Sequence, residues 1–129
     1  MAQEMILCDT NIIIEFLKQN EQTLQALDNI GFANIAISDI TMMELYIGAR
    51  NKNELVQIKS SLSALKRFSI TEVISELAVS LVEQYAKSHT LLVPDALIAA
   101  TALSYNVPLF TYNLKDFRYI AGIALYNSQ

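Results

Sequence analysis

Four acids and one amide in this sequence are of types that could work together: Asp9, Glu44, Asp95, Asn113 and Asp116. Asp9 closes the apolar run of residues 5–8, and Glu44 falls inside the helical stretch after a second apolar run. Asp95 opens the apolar stretch 95–105, and Asn113 and Asp116 follow Leu109-Phe110-Thr111. Each has a local explanation. Asp9 would cap a helix starting at Thr10, and Thr41-x-x-Glu44 fits a capping box. Asp95 would complement a helix dipole, and Asn113 would cap a short helix around Asp116. As a set they ask for more. Two like charges ~4 Å apart repel by about 1 kcal/mol in water, and several-fold more when partly buried. A fold gains nothing from gathering them unless a cation binds there. Hard oxygen donors suit Mg²⁺ or Mn²⁺, ions that activate water and clamp a phosphodiester during in-line attack.

Other residues carry weaker signals. The single histidine, His89, lies near the end of an amphipathic stretch and reads as a surface or helix-end residue. Cys8, the only cysteine, reads as a small buried hydrophobe. The six tyrosines are scattered, so no base-stacking ladder is legible. Arg118 is placed to meet a phosphate or to stay solvated.

The elements that must position the acids follow from periodicity. Short apolar runs at 5–8, 34–37, 68–70, 108–111 and 124–126 predict buried strands. Between them, residues 10–18, 21–30 and 38–49 predict helices, with Gly31 as a C-terminal cap. Leu55, Ile58, Leu62 and Leu65 form a narrow stripe on another helix. Ile74, Leu77, Ala78, Leu81, Val82 and Tyr85 form a broader face on the next. Residues 95–105 predict a helix apolar nearly all round, hence deep. Strands alternating with helices predict an α/β fold, a short parallel sheet flanked by helices on both faces in three layers. Ligands of such sheets bind beyond the carboxyl ends of the strands, which directs attention to Asp9, Ser38 and Thr111.

Bulk properties set the bounds. The 129 residues fit a single domain, 1–129, and 53% hydrophobic residues can fill a core. No apolar run approaches the ~18 residues of a membrane span, and no secretion signal is visible. Cytoplasmic residence follows as the default expectation. A net charge of −4 and a pI near 4.8 weigh against broad nucleic-acid binding. A metal-dependent site concentrates acid locally, however, and its cations reverse the sign there. A mean hydropathy of +0.31 predicts self-association, most simply as a symmetric dimer.

The patterns Leu7-Cys8-Asp9-Thr10-Asn11, Ile37-Ser38 with Thr41-x-x-Glu44-Leu45, Asp95-x-x-Ile98-Ala99-Ala100-x-Ala102 and Thr111-x-Asn113-x-x-Asp116-Phe117 together resemble PIN-domain nucleases, particularly VapC-type toxins. The resemblance spans nearly the whole chain. It implies a PIN-like fold, RNA cleavage dependent on Mg²⁺ or Mn²⁺, a homodimer, and inhibition by a cognate antitoxin. By the same resemblance Asp9, Glu44, Asp95 and Asp116 would be the metal-centred catalytic acids. Thr10 and Thr111 would be hydroxyls orienting a carboxylate or water, and Asn113 stands where some relatives carry an acid. The acidic site and apolar surface together predict an antitoxin that brings an amphipathic helix and a basic residue aimed near Asp9 and Asp95.

Two other readings remain open from the residues alone. A PIN-like fold could serve only as an RNA- or protein-binding module. A receiver-like phosphoacceptor domain would use Lys115 and an acid after the second strand, where only Asp39 stands, and would leave Glu44 and Asp95 without a role. A phosphatase of the Asp-x-Asp type fails because Asn11 occupies the second position.

Overall fold

The computed structural model describes residues 4–127. Strand β1 is Ile6–Cys8, followed by helices α1 (Thr10–Leu17) and α2 (Glu21–Ile30). A 3-10 turn leads into β2 (Ile35–Ser38), then α3 (Asp39–Gly48), α4 (Lys52–Leu62) and β3 (Lys66–Phe68). The long helix α5 (Glu72–His89) precedes α6 (Val93–Tyr105), β4 (Leu109–Phe110) and a 3-10 turn, Leu114–Asp116. The strands form one sheet in the order β3-β2-β1-β4, every pair parallel. The α/β, three-layer arrangement is the one expected.

Alternation along the strands divides the core. Leu7, Ala36 and Leu109 face one side, where they meet α5 and α6 through Ile74, Leu81 and Ile98. Ile6, Cys8, Ile35, Ile37 and Phe110 face the other, against Ile12, Leu27, Leu45 and Ile58 of α1 to α4. Strands buried on both faces must be apolar throughout, which is why β1 and β2 carry little but aliphatic residues. Helix α6 is buried on several sides, with Ala96, Ala99, Ala100 and Ala102 leaving room for close packing against α5. Its buried Thr101 donates its hydroxyl to the Leu97 carbonyl at 2.7 Å, so no polar group is stranded there.

Gly31 ends α2 at φ +89°, its N–H donating to the Leu27 carbonyl at 2.9 Å. A side chain at that φ is strained, so Gly31→Ala is expected to lower stability by about 1 kcal/mol or more. Urea denaturation checks it; an unchanged midpoint would show that the turn relaxes freely.

The structure departs from the sequence expectation in three places. Strand β3 covers Lys66–Phe68 rather than 68–70, with Lys66 and Arg67 exposed on the sheet edge. Charges suit an edge strand because they oppose further pairing, and they also hide it from a search for apolar runs. Residues 124–126 make only a single bridge, Leu109 to Leu125. Helix α6 begins at Val93, two residues before the expected start, because Pro94 sits in its first turn, where its missing N–H costs nothing. Among the described residues no helix is long and apolar enough to cross a membrane.

Candidate active site

Parallel pairing puts the carboxyl ends of β1, β2 and β4 on one edge of the sheet, and the chain leaves them at Asp9, Asp39 and Thr111. Helix α3 leaves that edge and carries Glu44 in its second turn. Helix α6 returns towards β4 with Asp95 in its first turn. Asp116 ends the 3-10 turn that follows β4.

Asp9 is buried and is held from both sides. Its Oδ1 accepts the Thr10 N–H at 2.8 Å, capping α1, and its Oδ2 accepts the Thr111 hydroxyl at 2.8 Å. Thr111 Oγ1 in turn accepts the Asn113 N–H at 3.0 Å and faces the Asn11 amide at 3.5 Å. The Asn11 side-chain oxygen accepts the Tyr112 N–H at 3.3 Å. The loop after β4 is thus fastened to the end of β1.

A second set of hydroxyls serves Glu44. Thr10 donates its hydroxyl to Glu44 Oε1 at 2.6 Å, which leaves its oxygen to accept from Thr41 Oγ1 at 3.0 Å. Glu44 is therefore not the end of a capping box. Ser38 is the N-cap of α3, its Oγ accepting the Thr41 N–H at 3.2 Å, and Thr41 is buried beneath the site.

The charges of the four acids act on one another. Burial pushes the Asp9 carboxyl above its ordinary range. The hydrogen bonds from Thr111 and Thr10 oppose this, and repulsion from Glu44 and Asp116 adds to it. The Asp95 carboxyl is pushed up to about 6, first by burial and then by Asp9, Asp116 and Glu44. The ion pairs among the described residues are Lys18–Glu15, Arg50–Glu54 and Arg67–Asp39, and none takes in these four acids. Arg67 and the Ile70 N–H hold both oxygens of Asp39, the one acid directly after β2, so a receiver-like phosphoacceptor finds no free carboxylate there.

Residues 6–123 match the PIN domain. The chain belongs to the PIN-domain family. It is 35% identical over 126 residues to Ribonuclease VapC of Rickettsia bellii, covering 89% of this chain and 90% of that protein. Its fold is similar to that of a toxin–antitoxin complex from Klebsiella pneumoniae, with TM-score 0.79, 33% identity and coverage of 96% and 98% of the two chains. It is also similar to FitAcB from Neisseria gonorrhoeae, with TM-score 0.78, 27% identity and coverage of 96% and 98%.

In this PIN domain the donor chemistry fits a hard divalent cation: the groups are carboxylates, and among the described residues none of them is paired with Lys or Arg. Among the described residues no three Asp, Glu, His or Cys side chains stand close enough to hold an ion between them. Mg²⁺ is commonly held by one or two carboxylates with water and substrate phosphate completing its shell, so its binding does not require such a cluster. Asn113, the uncharged member of the set, is exposed and contributes its backbone N–H to Thr111. Sequence reasoning missed Asn11 and took Thr41 for a capping residue. Their partners lie 100 and 31 positions away, and no local pattern reports such contacts.

The Thr111 hydroxyl is the lever on Asp9. Thr111→Val keeps the shape and removes the donor, so the Asp9 carboxyl should rise further and lose its orientation. A rise of at least about tenfold in the proton affinity of Asp9 is expected by NMR titration, in line with the ~1.5–3 kcal/mol of a hydrogen bond to a charged group. An Asp9 titration unchanged by the substitution would show that the Thr111 hydroxyl does not act on that carboxyl.

Proposed function

We propose that this PIN domain, acting as a single unit over residues 1–129, is a Mg²⁺- or Mn²⁺-dependent endoribonuclease and the toxin of a cytoplasmic toxin–antitoxin pair. The observation that carries the reading is the set of acids Asp9, Glu44, Asp95 and Asp116: burial and the charge of the other acids raise the Asp9 and Asp95 carboxyls, and among the described residues no ion pair takes in any of the four. Its relatives add support: one is named as a ribonuclease and another was solved in a toxin–antitoxin complex.

Asp9 and Asp95 would hold the metal, with Glu44 and Asp116 completing the acidic lining. When bound, the metal supplies an activated water and neutralises charge on the phosphodiester. The protein's part is positioning. Asp9 is fixed by Thr10 and Thr111, so its carboxylate needs no reorganisation when substrate arrives. Glu44 is aimed by the Thr10 hydroxyl. It stands beside the site with one oxygen engaged and the other free to accept a proton or a water hydrogen bond. Asn113, next to this group, is suited to orient water through its amide oxygen.

The antitoxin has a fitting surface. Helices α1, α3 and α4 enclose a groove of about 560 Å³ with Ile14, Leu17, Leu45 and Ile58 along it and Glu44 at its wall. An amphipathic helix with a basic residue facing Glu44 would cover the apolar part and oppose the acids. Exposed apolar side chains elsewhere, among them Ile47 at 85% and Val79 at 66% exposure, support a homodimer. Sedimentation at high micromolar concentration is expected to give twice the chain mass, and a clean monomer would refute it.

The nuclease reading is tested by incubating purified chain with single-stranded RNA in Mg²⁺, Mn²⁺ or EDTA. Cleavage that EDTA abolishes and either metal restores is expected. Intact RNA with both metals, or full cleavage in EDTA, would overturn it.

A further inference from the structure

Beside the acids lies an aromatic group that this function leaves unused. His89 ends α5, and its ring stacks on Tyr119 with centroids 4.1 Å apart and planes 10° from parallel. Tyr85, buried one turn earlier on α5, packs edge-on against both rings, 5.7 Å from His89 and 5.1 Å from Tyr119. The Tyr85 hydroxyl accepts the Ala121 N–H at 3.2 Å, and Ser88 Oγ lies 2.7 Å from His89 Nδ1. The stack is thereby fixed in place and orientation, while His89 itself is exposed.

Its place in the fold matters as much as its geometry. His89 precedes the turn into α6, whose first turn carries Asp95, and Tyr119 follows the 3-10 turn that ends in Asp116. The pair therefore bridges the two segments that deliver two of the four acids. Burial raises the Tyr119 phenol, and the charges of Asp95 and Asp116 add to it. Lys87 and Arg118, both exposed, flank the two rings in sequence.

We infer that the stacked His89 and Tyr119 rings form a subsite on which an unpaired nucleobase of the RNA rests, next to the phosphodiester addressed by the acids. The inference rests on the ribonuclease reading and names how its substrate is held. A flat ring with an exposed face suits any base, because every base has a π-face. A duplex keeps its bases stacked on one another and offers none, so the subsite selects single strands. Held rigid by Tyr85, the platform costs little ordering when the base arrives. His89 and Tyr119 here are positioning residues; they touch the substrate's base and take no part in the chemistry.

His89 is the chain's only histidine, so its ring protons give isolated NMR signals. With Ca²⁺ in place of Mg²⁺ to offset the acids, an unstructured RNA oligonucleotide should move those signals upfield by ring current, and the same sequence in a duplex should not. In parallel, His89→Ala should raise KM for cleavage about fivefold or more with kcat kept within about twofold, and His89→Phe should restore KM by retaining a flat ring. His89 signals unmoved at RNA concentrations that saturate cleavage, or an unchanged KM in His89→Ala, would overturn the subsite while leaving the nuclease reading intact. Signals that move with single-stranded RNA in a chain that never cleaves would instead keep the subsite and remove the nuclease reading.

Discussion

Asp95→Asn is expected to cleave RNA at least a hundredfold more slowly than the parent chain, yet to unfold at a higher temperature in metal-free buffer. The two effects have one cause. Asp95 is partly buried among acids that repel it, and burial and repulsion together hold its carboxyl near 6. Removing the charge relieves that cost in the absence of metal, by about 1 kcal/mol after allowance for solvent screening. It also removes a ligand and a source of transition-state charge control, and single groups of that kind are worth roughly 10²–10³ in rate. Asp9→Asn should lose activity similarly with less gain in stability. An asparagine oxygen can still cap α1 through the Thr10 N–H, but its amide faces the Thr111 hydroxyl, which must turn round to accept. Cleavage assays and thermal unfolding on the same preparations provide the measurement. Full activity in Asp95→Asn would take that residue out of the mechanism, and a lower melting temperature in EDTA would show that its charge is compensated.

The second large effect is in pH. The Asp95 carboxyl moves from 3.8 to about 6 on folding. Between those values the folded chain holds a proton that the unfolded chain has released. The associated stability is therefore complete below the unfolded value and is lost as pH rises through 6. Asp9, raised in the same direction, adds to the trend. Other carboxylates titrate in this range too, so the useful quantity is the difference from Asp95→Asn. In EDTA the variant's advantage in melting temperature should be small at pH 4.5 and should grow to a plateau by pH 7. Mg²⁺ reverses the balance because it selects the ionised carboxylate and competes with the proton. Its stabilisation of the parent should be strongest above pH 7 and should weaken by up to about tenfold in apparent affinity per pH unit below 6. A variant advantage that is constant with pH, or Mg²⁺ affinity that ignores pH, would contradict the raised carboxyl.

Much of this was legible in the chain before folding. Residues 5–8 and 34–37 are apolar because both faces of a central parallel strand are covered, and they lie within a residue or so of β1 and β2. The acids at strand ends and helix starts could be read because a parallel sheet delivers those positions to one edge. What escaped was long-range or masked. Strand β3 is a charged edge, and residues 124–126 contribute a single bridge rather than a strand. The hydroxyl series from Ser38 through Thr41 and Thr10 to Glu44 joins residues up to 34 positions apart. The aromatic group of Tyr85, His89 and Tyr119 looked scattered in sequence because only the return of the chain after β4 closes it.

The hydrogen bond from Thr111 to Asp9 spans 102 positions, and this bears on how such a chain is made. Asp9 leaves the ribosome 102 residues ahead of its orienting hydroxyl, and the fourth acid arrives only when the turn after β4 has emerged. A nascent chain that has built β1 to α5 therefore has an incomplete site, with Asp95 undelivered and Asp9 held from one side. Contacts this far apart in sequence also close late in folding, after the local helices have formed. The segment after α6 thus acts as a timer: no finished site exists until residues 109–116 have been made.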